Sequence, residues 1–95
     1  MMSEAKAKFL ACRHLPARLT VIETSWYLGF SENDIPVLAA HRLLKPVGSP
    51  TQNSTKYYAL KDLKKLHEDL RWINRASATL NRYWQLKNAK KTNQL

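Results

Sequence analysis

Apolar residues recur with different spacing in successive parts of the chain. Residues 1–19 show no sustained period. Residues 4–12 suffice for a turn or two of helix before Pro16 interrupts, so this stretch reads as a partly ordered arm. The segment LTVIETSWYLG then has a clear start and stop. Thr20 with Glu23 three residues on makes a capping box, Val21, Ser25 and Leu28 share one helical face, and Gly29 supplies the left-handed ending. In the following GFSENDIPVL, Ser31 can cap a second helix with Asp34 as its return partner. Pro36 has no N–H and fits only near a first turn. Either the helix starts at Glu32 with one bond missing, or Asp34 is its true cap. In both cases Ile35, Leu38 and Ala39 form the apolar stripe. Glu32, Asn33, Pro36, Val37, Ala40 and His41 face outward, and Arg42 near the end suits the helix dipole.

The pattern changes at LLKPVGSPTQNSTKYYAL. Pro46, Gly48 and Pro50 stop any helix, and two short extended stretches, 44–47 and 56–58, flank a polar tip. This predicts a β-hairpin. Tyr57 and Tyr58 should alternate, one inward and one outward. From Leu60 onward there is neither Gly nor Pro. Leu63, Leu66, Leu70, Ile73, Ser77, Leu80, Trp84 and Lys87 follow in steps of three and four. A continuous helix over 61–87 would be roughly 40 Å long, more than one small domain can cover. It therefore needs a partner, or it breaks and folds back, with 74–77 the weakest place. Leu63, Leu66 and Leu70 are expected on the core, and Ile73, Leu80 and Trp84 against a twofold partner or the folded-back chain. The last residues, NAKKTNQL, read as a frayed basic tail.

Charge sharpens this outline. The chain carries a formal net charge of +9, and the surplus lies in its flanks. Residues 1–20 hold four cations against one acid, 21–60 three against three, and 61–95 nine against three. Such a distribution favours polyanionic partners, nucleic acid first. With 95 residues and 44% hydrophobic content, one folded domain is expected. No stretch reaches transmembrane length and no secretory pattern is visible. The lone Cys12 allows no internal disulfide, which points to a reducing, cytoplasmic compartment. Cys12, His14, His41 and His67 lack the paired spacing of a metal site. No phosphate loop or nucleophile–base pair is present, so neither enzyme activity nor a cofactor is expected.

Two helices joined by a short turn need a small residue at the crossing, a turn residue tolerant of positive φ and an apolar plug. Ser25, Gly29 and Ile35 supply them. With YLGFS, LLKP, KYYAL and KDLKKL following in order, the stretch from Leu19 to Asp69 resembles the winged helix-turn-helix of the MerR regulators and the related excisionase-like proteins. The resemblance covers about half the chain. It implies a mostly α winged helix-turn-helix with a short β-hairpin wing and a long C-terminal helix, DNA binding as a dimer, and pairing through that helix. The chain departs from the family where the second helix usually carries Arg near its start and after the Ile: here stand Glu32, Asn33 and Pro36. The family's effector-binding cysteines are also missing, and no small-molecule effector is evident.

The organisation that follows is a basic arm over 1–18, a winged helix-turn-helix over 19–70, and a helical extension with a basic tail over 71–95. The expected function is DNA binding, as a transcriptional regulator or architectural factor and as a homodimer, with no membrane partner. Candidate contacts are Asn33, Val37 and His41 on the second helix, Arg42 and Lys45 after it, Gln52 and Asn53 at the tip, and Lys56 and Tyr57 on the returning stretch. Asn33 suits adenine, Glu32 can accept from cytosine, and Val37 can touch a thymine methyl. Lys6, Lys8, Arg13 and Arg18 can add phosphate contacts. The alternative is a protein-binding module of the same fold that presents Trp26, Glu32, Pro36 and Val37 to another protein. For the aromatic residues Trp26, Tyr27, Phe30, Trp72, Tyr83 and Trp84, packing is the expected role.

Overall fold

The computed structural model describes residues 3–93. The arm is more ordered than its sequence suggests. Ser3 accepts the Lys6 N–H at 3.1 Å and caps helix α1, Glu4–Ala11. Phe9 anchors α1 by burying its ring against Trp26, with centroids 5.5 Å apart. A missed strand follows: β1, Arg18–Thr20, leads directly into α2, Val21–Leu28. The capping box of α2 is present in full. Thr20 Oγ1 accepts the Glu23 N–H at 3.2 Å, and the Glu23 carboxylate accepts the Thr20 N–H at 3.0 Å. Gly29 ends α2 in the left-handed region at φ 85°, where a Cβ would be strained. Its N–H and that of Phe30 both donate to the Ser25 carbonyl.

The second helix, α3, runs over Asp34–Ala40 with Asn33 at the cap position, so neither expected start of SENDIP holds: Glu32 lies before the helix, and Asp34 is its first residue rather than its cap. Residues 32–33 form a turn. The Asp34 carboxylate accepts the Ser31 N–H at 3.0 Å. Pro36 is then the third helical residue, where no backbone donor is needed. Ser25 and Ile35 are buried at the crossing of α2 and α3 as the spacing predicts. At the far end Arg42 takes φ 61°, the place usually held by glycine. Its N–H donates to Ala39 O, and that of Leu43 to Leu38 O.

The expected hairpin is replaced by a different pairing. Strand β2, Tyr57–Ala59, runs antiparallel to β1 in the register Arg18↔Ala59, Leu19↔Tyr58 and Thr20↔Tyr57. Leu19 and Tyr58 lie opposite one another and both point into the core, which makes this ladder the sheet edge of the fold. Segment 44–47 touches β2 through a single bond, Val47 N–H to Tyr57 O at 2.9 Å. Pro46 has no donor for a ladder, and Leu44 is drawn into the core. Residues 45–56 are thus a loop on this edge.

The chain after Leu60 breaks at 68–69, not at 74–77. Helix α4, Leu60–His67, stops, and α5, Leu70–Asn93, starts afresh. Asp69 caps it, its carboxylate accepting the Trp72 N–H at 3.1 Å. The inward face of α5 carries Trp72, Ala76 and Leu80, with Ile73, Ser77, Tyr83 and Trp84 half-buried beside them. Leu70, expected on the core, is 69% exposed because it opens the new helix outside that face. The stripe expected to need a partner is covered by the fold itself: α5 lies back across α3 and α4. Helix α5 also continues through most of the stretch read as a tail, while residues 94–95 lie outside the described residues. One core connects Phe9 on α1 to Leu80 on α5. None of the helices is long and apolar enough to cross a membrane, among the described residues.

Candidate nucleic-acid interface

Helix α3 presents three faces, each set by what covers it. Ile35 and Leu38 enter the core. Asp34, Val37 and His41 lie along the line that meets α5, at the helical spacing of three and four residues. The Trp84 indole N–H donates to Asp34 Oδ1 at 2.9 Å, and the Tyr83 ring meets His41 edge-on at 6.4 Å. This overturns one expected DNA contact: Val37 is only 8% exposed, because α5 folds onto the side of α3 that the isolated helix would turn to solvent. His41 keeps an exposed edge, but its Nδ1 is tied to Val37 O at 2.9 Å. The open stripe is Asn33, Pro36 and Ala40, with Glu32 just before it.

The open stripe borders a groove of about 740 Å³. Pro36, Ala39 and Ala40 form one wall, Val21 and Ile22 at the start of α2 the floor, and Pro46 with residues 54–56 of the loop the other wall. Its surface is mainly apolar, with Glu32 and Lys56 as its charged groups. Gln52 and Asn53 stand exposed at the loop tip. Lys56 is placed differently from a free phosphate contact. Its ammonium donates to the carbonyls of Gln52 and Ser54 at 3.0 and 3.3 Å, and so holds the loop closed. Thr51 and Ser54 hydroxyls bond across the same turn at 2.5 Å. Tyr57 lies under the Arg18 guanidinium, 3.9 Å from its ring centroid. That contact fixes an arginine beside the loop but uses the ring face. Tyr58 is the inward member of the pair, and burial raises its phenol pKa above 10.0.

A second, smaller groove adjoins the first, with Tyr58 in the walls of both. Arg42, Lys45 and Lys65 line it against a single acid, Asp62. Among the described residues the ion pair found is Lys8–Glu4 at 3.3 Å, on the surface of α1. Arg42 and Lys45 are therefore exposed cations without an acidic partner. Of the expected contacts, Asn33, Arg42, Lys45, Gln52 and Asn53 are exposed, and Arg42 and Lys45 line the second groove. The fold buries Val37 and engages His41, Lys56 and Tyr57 in local contacts.

The aromatic residues around the turn serve packing. Trp26 meets Phe9, Tyr27 meets His67 at 5.1 Å, and Phe30 meets Trp72 edge-on at 6.0 Å. Burial, and secondarily the nearby Glu68 charge, raises the Tyr27 pKa. Arg18, expected only as a basic-flank contact, is seated over Tyr57 by the β1–β2 ladder, and Lys65, which the sequence did not single out, is brought beside Lys45 by the fold. Among the described residues no three His, Cys, Asp or Glu side chains converge as a metal site would require. No family model, curated protein or solved structure matches the chain.

Proposed function

We propose that this chain is a small duplex-DNA-binding protein of winged helix-turn-helix type, acting as a transcriptional regulator or architectural factor. In this reading α3 is the reading helix and loop 45–56 the wing. One observation carries it: the open stripe of α3 and the loop form the two walls of one groove, beside exposed Arg42 and Lys45, which form no ion pair among the described residues. Asn33 is the base reader, and Glu32 can accept from a cytosine amine. Arg18, Arg42 and Lys45 meet phosphates, while Gln52 and Asn53 at the loop tip follow the backbone or enter the minor groove. Lys56 shapes the wing from within. The resemblance of Leu19–Asp69 to MerR and excisionase-like proteins supports the same assignment. Homodimerisation belongs to this reading as well, through the part of α5 beyond the core, where Leu86 is exposed.

The apolar lining of the groove favours a second reading, a protein-binding module in which a partner's side chains sit between Pro36 and Pro46. A salt series separates the two. Anisotropy of a labelled random-sequence duplex titrated with the protein should show binding that weakens steeply with salt, and Lys45→Gln should reduce the log–log slope by about 0.9. Absence of duplex binding at low salt refutes the DNA reading and leaves the groove to a protein partner.

A further inference from the structure

Helix α5 contains Arg71, Arg75, Arg82, Lys87, Lys90 and Lys91 and neither Asp nor Glu. Three of these cations are ordered by helical geometry into one line. Positions 71, 75, 78 and 82 follow at steps of four, three and four, and so lie on one face. Trp72, Ala76 and Leu80 mark the buried face, and the arginine line stands on the opposite side of the helix. Arg71, Arg75, Ala78 and Arg82 are all exposed, and none of the three arginines has a hydrogen bond or ion pair among the described residues. Asn74, Asn81 and Gln85, exposed along one flank, add uncharged donors. Arg71 and Arg82 are separated by about 16 Å of helix rise. Over that length B-DNA presents one negative charge per roughly 1.7 Å of its axis.

We infer that this arginine ridge is a second phosphate-binding surface, which takes a second DNA duplex while the α3 side holds the first. The inference rests on the DNA reading above and extends it from binding to bridging. Guanidinium groups with neighbouring amides suit phosphate oxygens, which they can hold in bidentate fashion. Such contacts carry no sequence information, which fits a ridge built from one repeated side chain. The face of α5 that receives Asp34 and His41 is the one holding Trp84 and Tyr83. Helix α5 itself therefore stands between the ridge and α3, and a straight duplex seated on Asn33, Pro36 and Ala40 does not reach Arg71 and Arg75.

The test uses a bead-tethered duplex, the full chain, and a free fluorescent duplex of random sequence. The native protein should bind the beads and recruit the free duplex. Raising salt from 50 to 200 mM should reduce the recruiting affinity about 40-fold if three phosphates are neutralised. R71Q/R75Q/R82Q changes only exposed side chains, and circular dichroism checks that its helices persist. This variant should still bind the tethered duplex, within about twofold, and recruit at least tenfold less of the free one. Recruitment undiminished in the variant overturns the inference and assigns bridging to dimerisation. Native protein that binds the beads and recruits nothing overturns it while leaving the DNA reading intact. Failure to bind any duplex removes both. Binding to phosphatidylserine vesicles that the variant loses, with no duplex recruited, overturns the inference by assigning the ridge to a membrane.

Discussion

Asp34 holds two elements at once, and its removal should be felt in both. One carboxylate oxygen accepts the Ser31 N–H at 3.0 Å and closes the turn into α3; the other accepts the Trp84 indole N–H at 2.9 Å and ties α5 to α3. Asp34→Ala removes the helix-start bond, worth about 1 kcal/mol. It also leaves a half-buried indole N–H without its charged acceptor, at a cost of about 1–2 kcal/mol. The total, about 2–3 kcal/mol, corresponds to a fall in Tm of roughly 10–20 °C for a domain of this size. Trp84→Phe removes the same donor and keeps most of the ring. In a double-mutant cycle followed by urea unfolding and far-UV circular dichroism, the coupling between the two changes should be about 1–2 kcal/mol. Asp34→Asn should fall between wild type and Asp34→Ala, because its amide oxygen can serve only one of the two donors well. Additivity of Asp34→Ala and Trp84→Phe to within about 0.5 kcal/mol would refute the tie between α3 and α5. It would also reopen Asp34 as a residue aimed at solvent.

Thr24 is fully buried and its hydroxyl has no hydrogen-bond partner among the described residues; Thr24→Val should therefore be neutral or stabilise by up to about 1–2 kcal/mol, whereas a clear loss in urea unfolding would show that the hydroxyl is satisfied. Arg42→Gly relieves a side chain held at φ 61° and should stabilise by up to about 1 kcal/mol after the added chain entropy, while weakening duplex binding in the same preparation; a lower Tm would show that the arginine supports the fold. Burial holds the Tyr58 phenol pKa above its ordinary 10.0, so the folded state retains this proton more tightly than the unfolded chain. The associated stability is complete below pH 10 and is lost as pH rises through the folded-state pKa. Tyr58→Phe should flatten that part of the alkaline unfolding curve, and a curve identical to wild type would remove Tyr58 as its source.

Local signals were legible wherever a few neighbouring residues decide the outcome. Thr20, Glu23 and Gly29 set both ends of α2 with bonds inside one turn. Ser25 and Ile35 found the helix crossing from spacing alone. Signals that depend on distant chain were not legible. The Tyr57–Tyr58 end of the loop shows an extended pattern, but its ladder partner, Arg18–Thr20, lies some 40 residues earlier, where the sequence marks only the end of an arm and the N-cap Thr20. The break after α4 was hidden because Leu63, Leu66 and Leu70 keep a helical period across it; the informative residue was Asp69, whose cap to Trp72 starts a new helix. Val37 follows the same logic in reverse. By position it belongs to the outer side of a short helix, and only the return of α5 buries it.

The acids at the start of α3 are consistent with DNA binding once their roles are separated. Asp34 accepts two N–H donors, so both its carboxylate oxygens are engaged within the fold rather than free to face a phosphate. Glu32 alone remains at the groove, opposite a lysine whose ammonium is already engaged by loop carbonyls. On the proposed DNA reading, the open stripe of α3 therefore contributes shape and at most one repulsive charge, and affinity would come from the cations around it. Arg18 is fixed on Tyr57, and Arg42 and Lys45 follow the end of α3. None is on α3 itself. In the proposed DNA reading, such a surface would separate affinity, supplied from the periphery, from readout, supplied by Asn33 and its neighbours. Substituting the peripheral cations should weaken binding to all sequences equally, whereas Asn33→Ala should change sequence preference with little change in the salt slope. If Asn33→Ala instead leaves preference untouched and lowers the slope, α3 is not the reading helix, and the groove beside it is open to another occupant.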